Sequence, residues 1–125
     1  MKTLALLWVL LLAGPGWAMA QQAPSEILEE AQQLRSDGEL DWAAELLDEA
    51  LDDLPPTEPL FQEIHLERNY HWRMARIRQQ LSDGDIEGAR ETHTEVVRFL
   101  RGHPQRSRFI GNVDRYDLVI RGRER

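Results

Sequence analysis

A short motif that occurs twice constrains the fold of this chain more than any other feature. Residues 37–43 read Asp-Gly-Glu-Leu-Asp-Trp-Ala, and residues 83–89 read Asp-Gly-Asp-Ile-Glu-Gly-Ala, at an offset of 46 residues (84 minus 38). In each copy the glycine can take the left-handed conformation that ends one helix, and an apolar residue two positions later can begin the next. The repeated motif therefore predicts two helical hairpins with the same turn.

The helix after the first motif carries a stripe of small and large apolar residues at steps of three and four, as one face of an α-helix requires. The members of this stripe are Leu40, Ala43, Leu47, Ala50 and Leu54. Pro55 ends the helix, and alanine on the stripe lets a neighbouring helix approach closely. We expect helices at about 25–36 and 40–54, the first capped by Ser25.

Two more helices are expected at about 58–81, capped by Thr57, and at about 86–101, before Gly102. The first of these is long and has apolar residues on two faces. One face holds Leu66, Tyr70, Met74, Ile77 and Leu81, and the other holds Phe61, Ile64, Trp72 and Ala75. Two apolar faces indicate two neighbours, namely the first hairpin and the fourth helix. The alternative is that one face meets a partner.

Residues 105–125 fit two structures. A helical face is formed by Phe109, Val113, Tyr116 and Ile120, whereas Tyr116, Leu118 and Ile120 alternate as in a strand. Two repeats alone leave an apolar end uncovered, so a short capping helix is favoured.

These positions resemble the tetratricopeptide repeat (TPR) family. The matching residues of the first copy are Gly38, Leu40, Ala43, Leu47, Ala50, Leu51 and Pro55. Glu30, Arg73 and His93 depart from the family pattern. The resemblance implies an all-α fold of two TPR-like αα-hairpins (four helices, the third long) over residues 21–104, followed by a C-terminal capping segment or basic tail at 105–125. An unrelated helical bundle is the alternative.

The resemblance also implies a platform for protein interactions, in which the first helix of each repeat lines a groove for a partner segment. Carried over to this chain, the groove residues are Leu28, Gln32, Arg35, His71, Met74 and Arg78. Arg35 and Arg78 would favour acidic side chains or a C-terminal carboxylate, because a guanidinium can make two parallel hydrogen bonds to one carboxylate. The other interpretation is that these arginines only solvate the surface.

A second candidate surface lies on the long third helix. Phe61, His65 and Trp72 fall within a narrow arc of this helix, with Arg68 and Arg76 beside them. Aromatic residues edged by arginine are enriched at protein interfaces. We expect Trp72 to be covered by the fourth helix and the groove arginines to hold the partner, with the aromatic strip as the alternative site.

Residues 1–20 have the pattern of a secretory signal peptide. Lys2 precedes an apolar run at 4–13, and Ala18 and Ala20 form a cleavage site after Pro15. We expect an exported protein, periplasmic or secreted, with no stable membrane insertion after cleavage; an uncleaved anchor is the alternative. The chain has no cysteine, which excludes disulfides and attachment of a lipid through cysteine.

Charge is distributed unevenly along the chain. Residues 21–63 hold thirteen acidic residues and only Arg35 as a base, a net charge of −12, whereas residues 64–125 hold nine acidic and thirteen basic residues, a net of +4. The asymmetry predicts ion pairs between the first hairpin and the third helix. The basic tail has no recognisable nucleic-acid motif, so nucleic acid is not an expected partner.

Few features favour catalysis, and we expect neither an enzyme nor a cofactor. The chain lacks a cysteine nucleophile, a nucleophile elbow and a phosphate loop. Glu67 and His71 have metal-ligand spacing, but a third ligand is missing, so no metal site is predicted. His93, on an apolar stripe, is expected to be a hydrogen-bonded core residue.

Two functions remain. The first is an exported, non-enzymatic protein–protein interaction module of the cell envelope, a TPR-like adaptor or assembly factor. The alternative is a small helical envelope-stress or inhibitor protein that blocks a partner enzyme. In both the partner is a protein, and the sequence leaves homo-oligomerisation open.

Overall fold

The computed structural model describes residues 22–125, and the signal peptide predicted at 1–20 lies outside the described residues. The described part of the chain contains helices and no strand, which confirms the all-α prediction. Its helices are α1 (Pro24–Ser36), α2 (Leu40–Asp53), α3 (Pro59–Leu66), α4 (Trp72–Ser82), α5 (Ile86–Leu100) and α6 (Arg106–Glu124). A π-helical turn at Glu67–His71 joins α3 to α4, and we call residues 59–82 the central helix.

The two copies of the repeated motif form the same turn. Gly38 has φ +83° and Gly84 has φ +78°, both in the left-handed region that favours glycine. The Glu39 N–H donates to the Leu34 carbonyl at 2.9 Å, and the Asp85 N–H donates to the Gln80 carbonyl at 2.8 Å. Each turn thereby satisfies carbonyls at the end of a helix. The turn at Gly38 connects α1 with α2, and we call this pair of helices the first hairpin. The turn at Gly84 connects α4 with α5.

The apolar core has two parts, and the central helix contributes to both. Ile64 packs with the first hairpin, where Ala31 and Leu47 are fully buried. Met74 and Ile77 pack with α5 and α6. The prediction that the third helix contacts neighbours on two sides is therefore confirmed.

The prediction that Ser25 and Thr57 are helix N-caps is wrong. Ala23 and Glu58 are the N-cap residues of α1 and α3, and neither N-cap side chain accepts a hydrogen bond from the helix. A proline follows each of them, Pro24 in α1 and Pro59 in α3. Proline has no N–H to satisfy, and its fixed φ suits the first helical turn, so a side-chain cap is not needed there. Ser25 accordingly lies inside α1.

The C-terminal segment is one helix, α6, of 19 residues. It is a capping helix as favoured, but it is not short, and the strand interpretation is wrong. Phe109, Val113 and Ile120 are buried against α5 and the central helix. At the surface, Arg90 of α5 pairs with Asp117 at 2.6 Å, and this pair helps to hold α6 in place.

The expected pairing between the acidic first hairpin and the third helix is present. Arg68 pairs with Asp48 at 2.9 Å. A second pair has the opposite polarity, because Arg35, the only basic residue of the first hairpin, pairs with Glu67. Within residues 22–125, no helix combines the length and apolarity that a membrane span requires.

Candidate partner-binding depression

A surface depression lies where α1, the central helix and α6 meet. Its volume is about 330 Å³. The lining residues are Arg35, Tyr70, His71, Met74, Arg78, Phe109, Asn112, Arg115 and Tyr116. Three arginines and a histidine therefore surround a space with an aromatic and methionine lining.

The structure brings together most of the residues predicted for the partner groove. Arg35, His71, Met74 and Arg78 all line the depression. Gln32 is exposed on α1 and does not line it. Leu28, the other groove position on α1, is buried in the core of the first hairpin. Four of the six groove positions therefore line one depression, and the two that do not, Leu28 and Gln32, both lie on α1.

Aromatic contacts hold His71 in place within the depression. Tyr70 and Phe109 are buried, with ring centroids 4.2 Å apart. The His71 ring meets Tyr70 edge-on at 4.9 Å and Phe109 edge-on at 5.7 Å. The imidazole is therefore fixed against two rings, one from the central helix and one from α6.

The arginines of the depression differ in how far their charge is compensated. The Arg35 guanidinium donates to both carboxylate oxygens of Glu67, from Nε at 2.6 Å and from Nη2 at 3.2 Å. No carboxylate within residues 22–125 forms an ion pair with Arg78 or Arg115. Arg78 and Arg115 therefore supply the uncompensated positive charge of the depression, and Arg35 does not.

The pKa of His71 is lowered from its ordinary value of 6.5. Burial is the largest cause, because it disfavours the charged imidazolium. Glu67 opposes this shift, and the positive charges of Arg35, Arg108 and Arg78 add to it. Near neutral pH the His71 ring is neutral, so one nitrogen can accept a hydrogen bond and the other can donate one.

Sequence reasoning missed the contribution of α6 to this site. Asn112, Arg115 and Tyr116 line the depression, yet α6 was expected only to cap the end of the fold. The helical face that includes Phe109 and Tyr116 was a usable signal for a docked helix. The sequence does not show which side of that helix turns towards His71, because tertiary packing determines it.

The aromatic strip expected on the third helix does not form a single surface. His65 stacks with Phe61, at a ring-centroid distance of 5.7 Å, and contacts Phe99 of α5 at 5.5 Å. Trp72 is half-buried instead against the first hairpin, where its indole N–H donates to the Leu40 carbonyl at 2.7 Å. Trp72 is therefore half-buried and packs on the first hairpin, whereas we expected the fourth helix to cover it.

The π-helical turn explains this separation. It holds one residue more than an α-helical turn, which rotates the residues beyond it by about 100° relative to a regular helix. His65 precedes the turn, and Trp72 follows it. The rotation carries Trp72 to the side of the central helix that faces α2.

Metal-ligating groups do not cluster in the described residues. No group of three or more His, Cys, Asp or Glu side chains in residues 22–125 is arranged to hold a metal ion. The Glu67 carboxylate is already bound by Arg35. His93 is buried, with Nε2 2.9 Å from the Val113 carbonyl oxygen, so the prediction of a hydrogen-bonded core histidine is confirmed.

No protein-family model, no curated protein and no solved structure matches this chain. The likeness to tetratricopeptide repeats therefore rests on the sequence pattern of the two motifs.

Proposed function

We propose that this protein is an exported, non-enzymatic interaction module, TPR-like in its hairpins, that binds an acidic or C-terminal segment of a partner protein in the depression. The observation that carries the proposal is the position of Arg78 and Arg115. These two arginines, from helices far apart in sequence, line the same concavity without an ion-pair partner in the described residues.

The chemistry of the lining suits a short peptide segment. Arg78 and Arg115 can each donate two parallel hydrogen bonds to a carboxylate. Tyr116, which is half-buried, provides apolar surface beside them, against which an apolar side chain of the same segment can pack. A volume of about 330 Å³ is at the lower end of the range for ligand pockets, which favours one or two side chains over a larger ligand.

Arg35 has a supporting role in this proposal. Its guanidinium is bound to Glu67, so it shapes the wall of the depression and leaves the contact with the partner to Arg78 and Arg115. Neutral His71 adds a hydrogen-bonding group between the two walls. The groove residues expected from the resemblance are thus divided between structural support and binding.

Export is the part of the proposal that rests on residues 1–20, outside the described part of the chain. The positive residue, the apolar run and the Ala-x-Ala site predict a mature N-terminus at Gln21. Intact-mass spectrometry of the protein from the exported fraction tests this prediction. A mass that still includes residues 1–20 would favour the anchor.

The partner is identified by a pull-down of the tagged full chain from the exported fraction. Recovery of a multi-protein assembly supports the adaptor. A tight stoichiometric complex with an envelope hydrolase, together with loss of its activity, supports the alternative of an inhibitor.

Binding in the depression is then tested with peptides from the acidic segments and the C-terminus of the recovered partner. The double variant Arg78→Ala/Arg115→Ala should bind the best peptide at least about tenfold more weakly, because hydrogen bonds to charged groups contribute about 1.5–3 kcal/mol each. The matched control Arg101→Ala/Arg106→Ala removes the same charge at exposed positions outside the depression. Equal losses in both double variants would leave only a non-specific charge effect and contradict the proposal.

A further inference from the structure

We propose that copies of this chain associate head to tail, with the outer face of α2 in one copy docked on the outer face of α6 in the next. The α2 outer face consists of Trp42, Leu46, Glu49 and Asp53. The α6 outer face consists of Gly111, Arg115, Leu118 and Gly122. The partner is thus a second copy of the same chain, and the contact joins two different surfaces.

The α2 outer face exposes a large aromatic side chain to solvent. Trp42 has 55% of its surface exposed, although Ala43 beside it is fully buried in the hairpin. Glu45, Glu49 and Asp53 are exposed on the same helix. An aromatic residue surrounded by charged residues has the composition of an interface centre with a polar rim.

The α6 outer face has an exposed leucine between two glycines. Leu118 has 68% of its surface exposed, the most among the large apolar side chains described. Apart from the adjoining residues and the backbone of α6 itself, no atom in the described part of the chain lies within 4 Å of where a Cβ would be at Gly111 or Gly122. Glycine inside a helix costs about 1 kcal/mol relative to alanine, and packing among residues 22–125 does not require either glycine. These glycines leave low points on both sides of Leu118, where a large side chain such as Trp42 from another copy can approach the helix.

The two outer faces match in spacing. Positions 42, 46, 49 and 53 follow steps of four, three and four, and so do positions 111, 115, 118 and 122. Each set therefore lies on one stripe along its helix, about 16 Å long at 1.5 Å per residue. Stripes with this alternation of steps can meet along one seam when two helices pack side by side.

Charge favours contact between unlike faces. The first hairpin has eleven acidic residues and one arginine over residues 24–53, a net charge of −10, whereas α6 together with Arg125 has six arginines and three acidic residues, a net of +3. Two α2 faces repel each other, and so do two α6 faces, but an α2 face attracts an α6 face. Charge therefore selects the head-to-tail arrangement over a two-fold symmetric dimer.

The fold leaves both faces available at the same time. The first hairpin packs on the central helix, whereas α6 packs on α5. The two faces are therefore carried by helices that pack against different neighbours. A contact between unlike faces can be repeated by every added copy, which gives open chains or closed rings.

Sedimentation of the protein, purified in the form that the cell produces, tests this proposal. The average mass should rise with concentration to at least twice the monomer mass, and it should fall when salt screens the charges. Trp42→Asp and Leu118→Asp should each remain monomeric. Thr94→Asp, which adds the same charge at an exposed position of α5, should associate like the wild type.

A mixture of the two monomeric variants gives the decisive result. Trp42→Asp keeps an intact α6 face and Leu118→Asp keeps an intact α2 face, so the mixture should form a one-to-one dimer that cannot grow. A mixture that stays monomeric, or a wild type that is monomeric at every concentration, overturns the proposal. Thermal melts verify that each variant is folded; if an aspartate variant is not, Trp42→Ser and Leu118→Ser are mixed in the same way.

Discussion

The Arg35 guanidinium binds both oxygens of the Glu67 carboxylate, at 2.6 Å and 3.2 Å, and Glu67 is only 2% exposed. This pair joins α1 to the first residue of the π-helical turn. It therefore connects the first hairpin to the point at which the register of the central helix changes. Arg35 also lines the depression.

Loss of Arg35 should destabilise the fold. Arg35→Ala leaves the buried Glu67 carboxylate without its partner, and removal of one member of a buried pair costs about 3–5 kcal/mol. Because Arg35 itself is 23% exposed, we expect a value near the lower end of that range. Chemical denaturation of the variant measures this cost. The double variant Arg35→Met/Glu67→Leu should recover most of the loss, since it removes both charges; a double variant as unstable as Arg35→Ala contradicts the role assigned to the pair.

Larger side chains at the two repeated alanines should also destabilise the protein. Ala43 and Ala89 are both fully buried where the helices of each hairpin approach each other. Ala43→Leu or Ala89→Leu should cost roughly 1–3 kcal/mol through overpacking. Ala44→Leu, at a half-buried neighbouring position, is the control for the added side chain. A wild-type melting temperature for either buried variant would show that its hairpin is not tightly packed.

Substitution of Trp72 should lower the stability of the fold and leave partner binding unchanged. Its indole N–H donates to the Leu40 carbonyl at 2.7 Å, and the Arg68 guanidinium carbon lies 4.2 Å from the centre of its ring. Trp72→Ala should cost about 3 kcal/mol, at the lower end of the range for a large core residue, because the side chain is only half-buried. Trp72→Phe, which keeps much of the packing and loses the hydrogen bond, should cost about 1 kcal/mol. A Trp72→Ala variant with unchanged stability and weaker binding would assign this residue to the partner surface instead.

Binding of an anionic segment should strengthen at mildly acidic pH. The pKa of His71 in the free protein is below 6.5, mainly because of burial. A carboxylate bound nearby favours the imidazolium and raises this pKa, so binding takes up a proton between the two pKa values. Affinity should therefore rise as the pH falls through the pKa of the bound state and level off below that of the free state. Calorimetry in buffers of different ionisation enthalpy measures the proton uptake, which His71→Gln should abolish.

The same shifts predict that stability decreases in mild acid. Burial lowers the pKa of both His71 and His65 in the folded protein, so the unfolded chain binds protons more readily. The contribution of each histidine to stability is complete above the unfolded pKa of about 6.5, and it is lost as the pH falls towards the folded pKa. Denaturation at a series of pH values should show this decrease, and His65→Gln/His71→Gln should show a smaller one. A double variant with an unchanged slope would assign the acid sensitivity to other groups.

Local features of the sequence predicted the helices and their turns. Gly38 and Gly84 end helices because only glycine takes a positive φ without strain, and Pro55 ends α2 because proline cannot continue a helix. The resemblance to tetratricopeptide repeats assigns His71, Met74 and Arg78 to one groove, and their spacing of three and four residues fits one face of a helix. Each of these conclusions depends on residues a few positions apart.

The sequence by itself determined the helical class and the repeated turn, because backbone sterics and helical period act over short distances. Only the tertiary structure decided three other features. These are the π-helical turn that separates Trp72 from His65, the ion pair of Arg35 with Glu67, and the position of Arg115 in the same depression as Arg78. These features depend on the packing of the central helix between the first hairpin and the pair α5 and α6. Burial of apolar surface selects such packing over the whole molecule, and no short segment of the sequence contains that information.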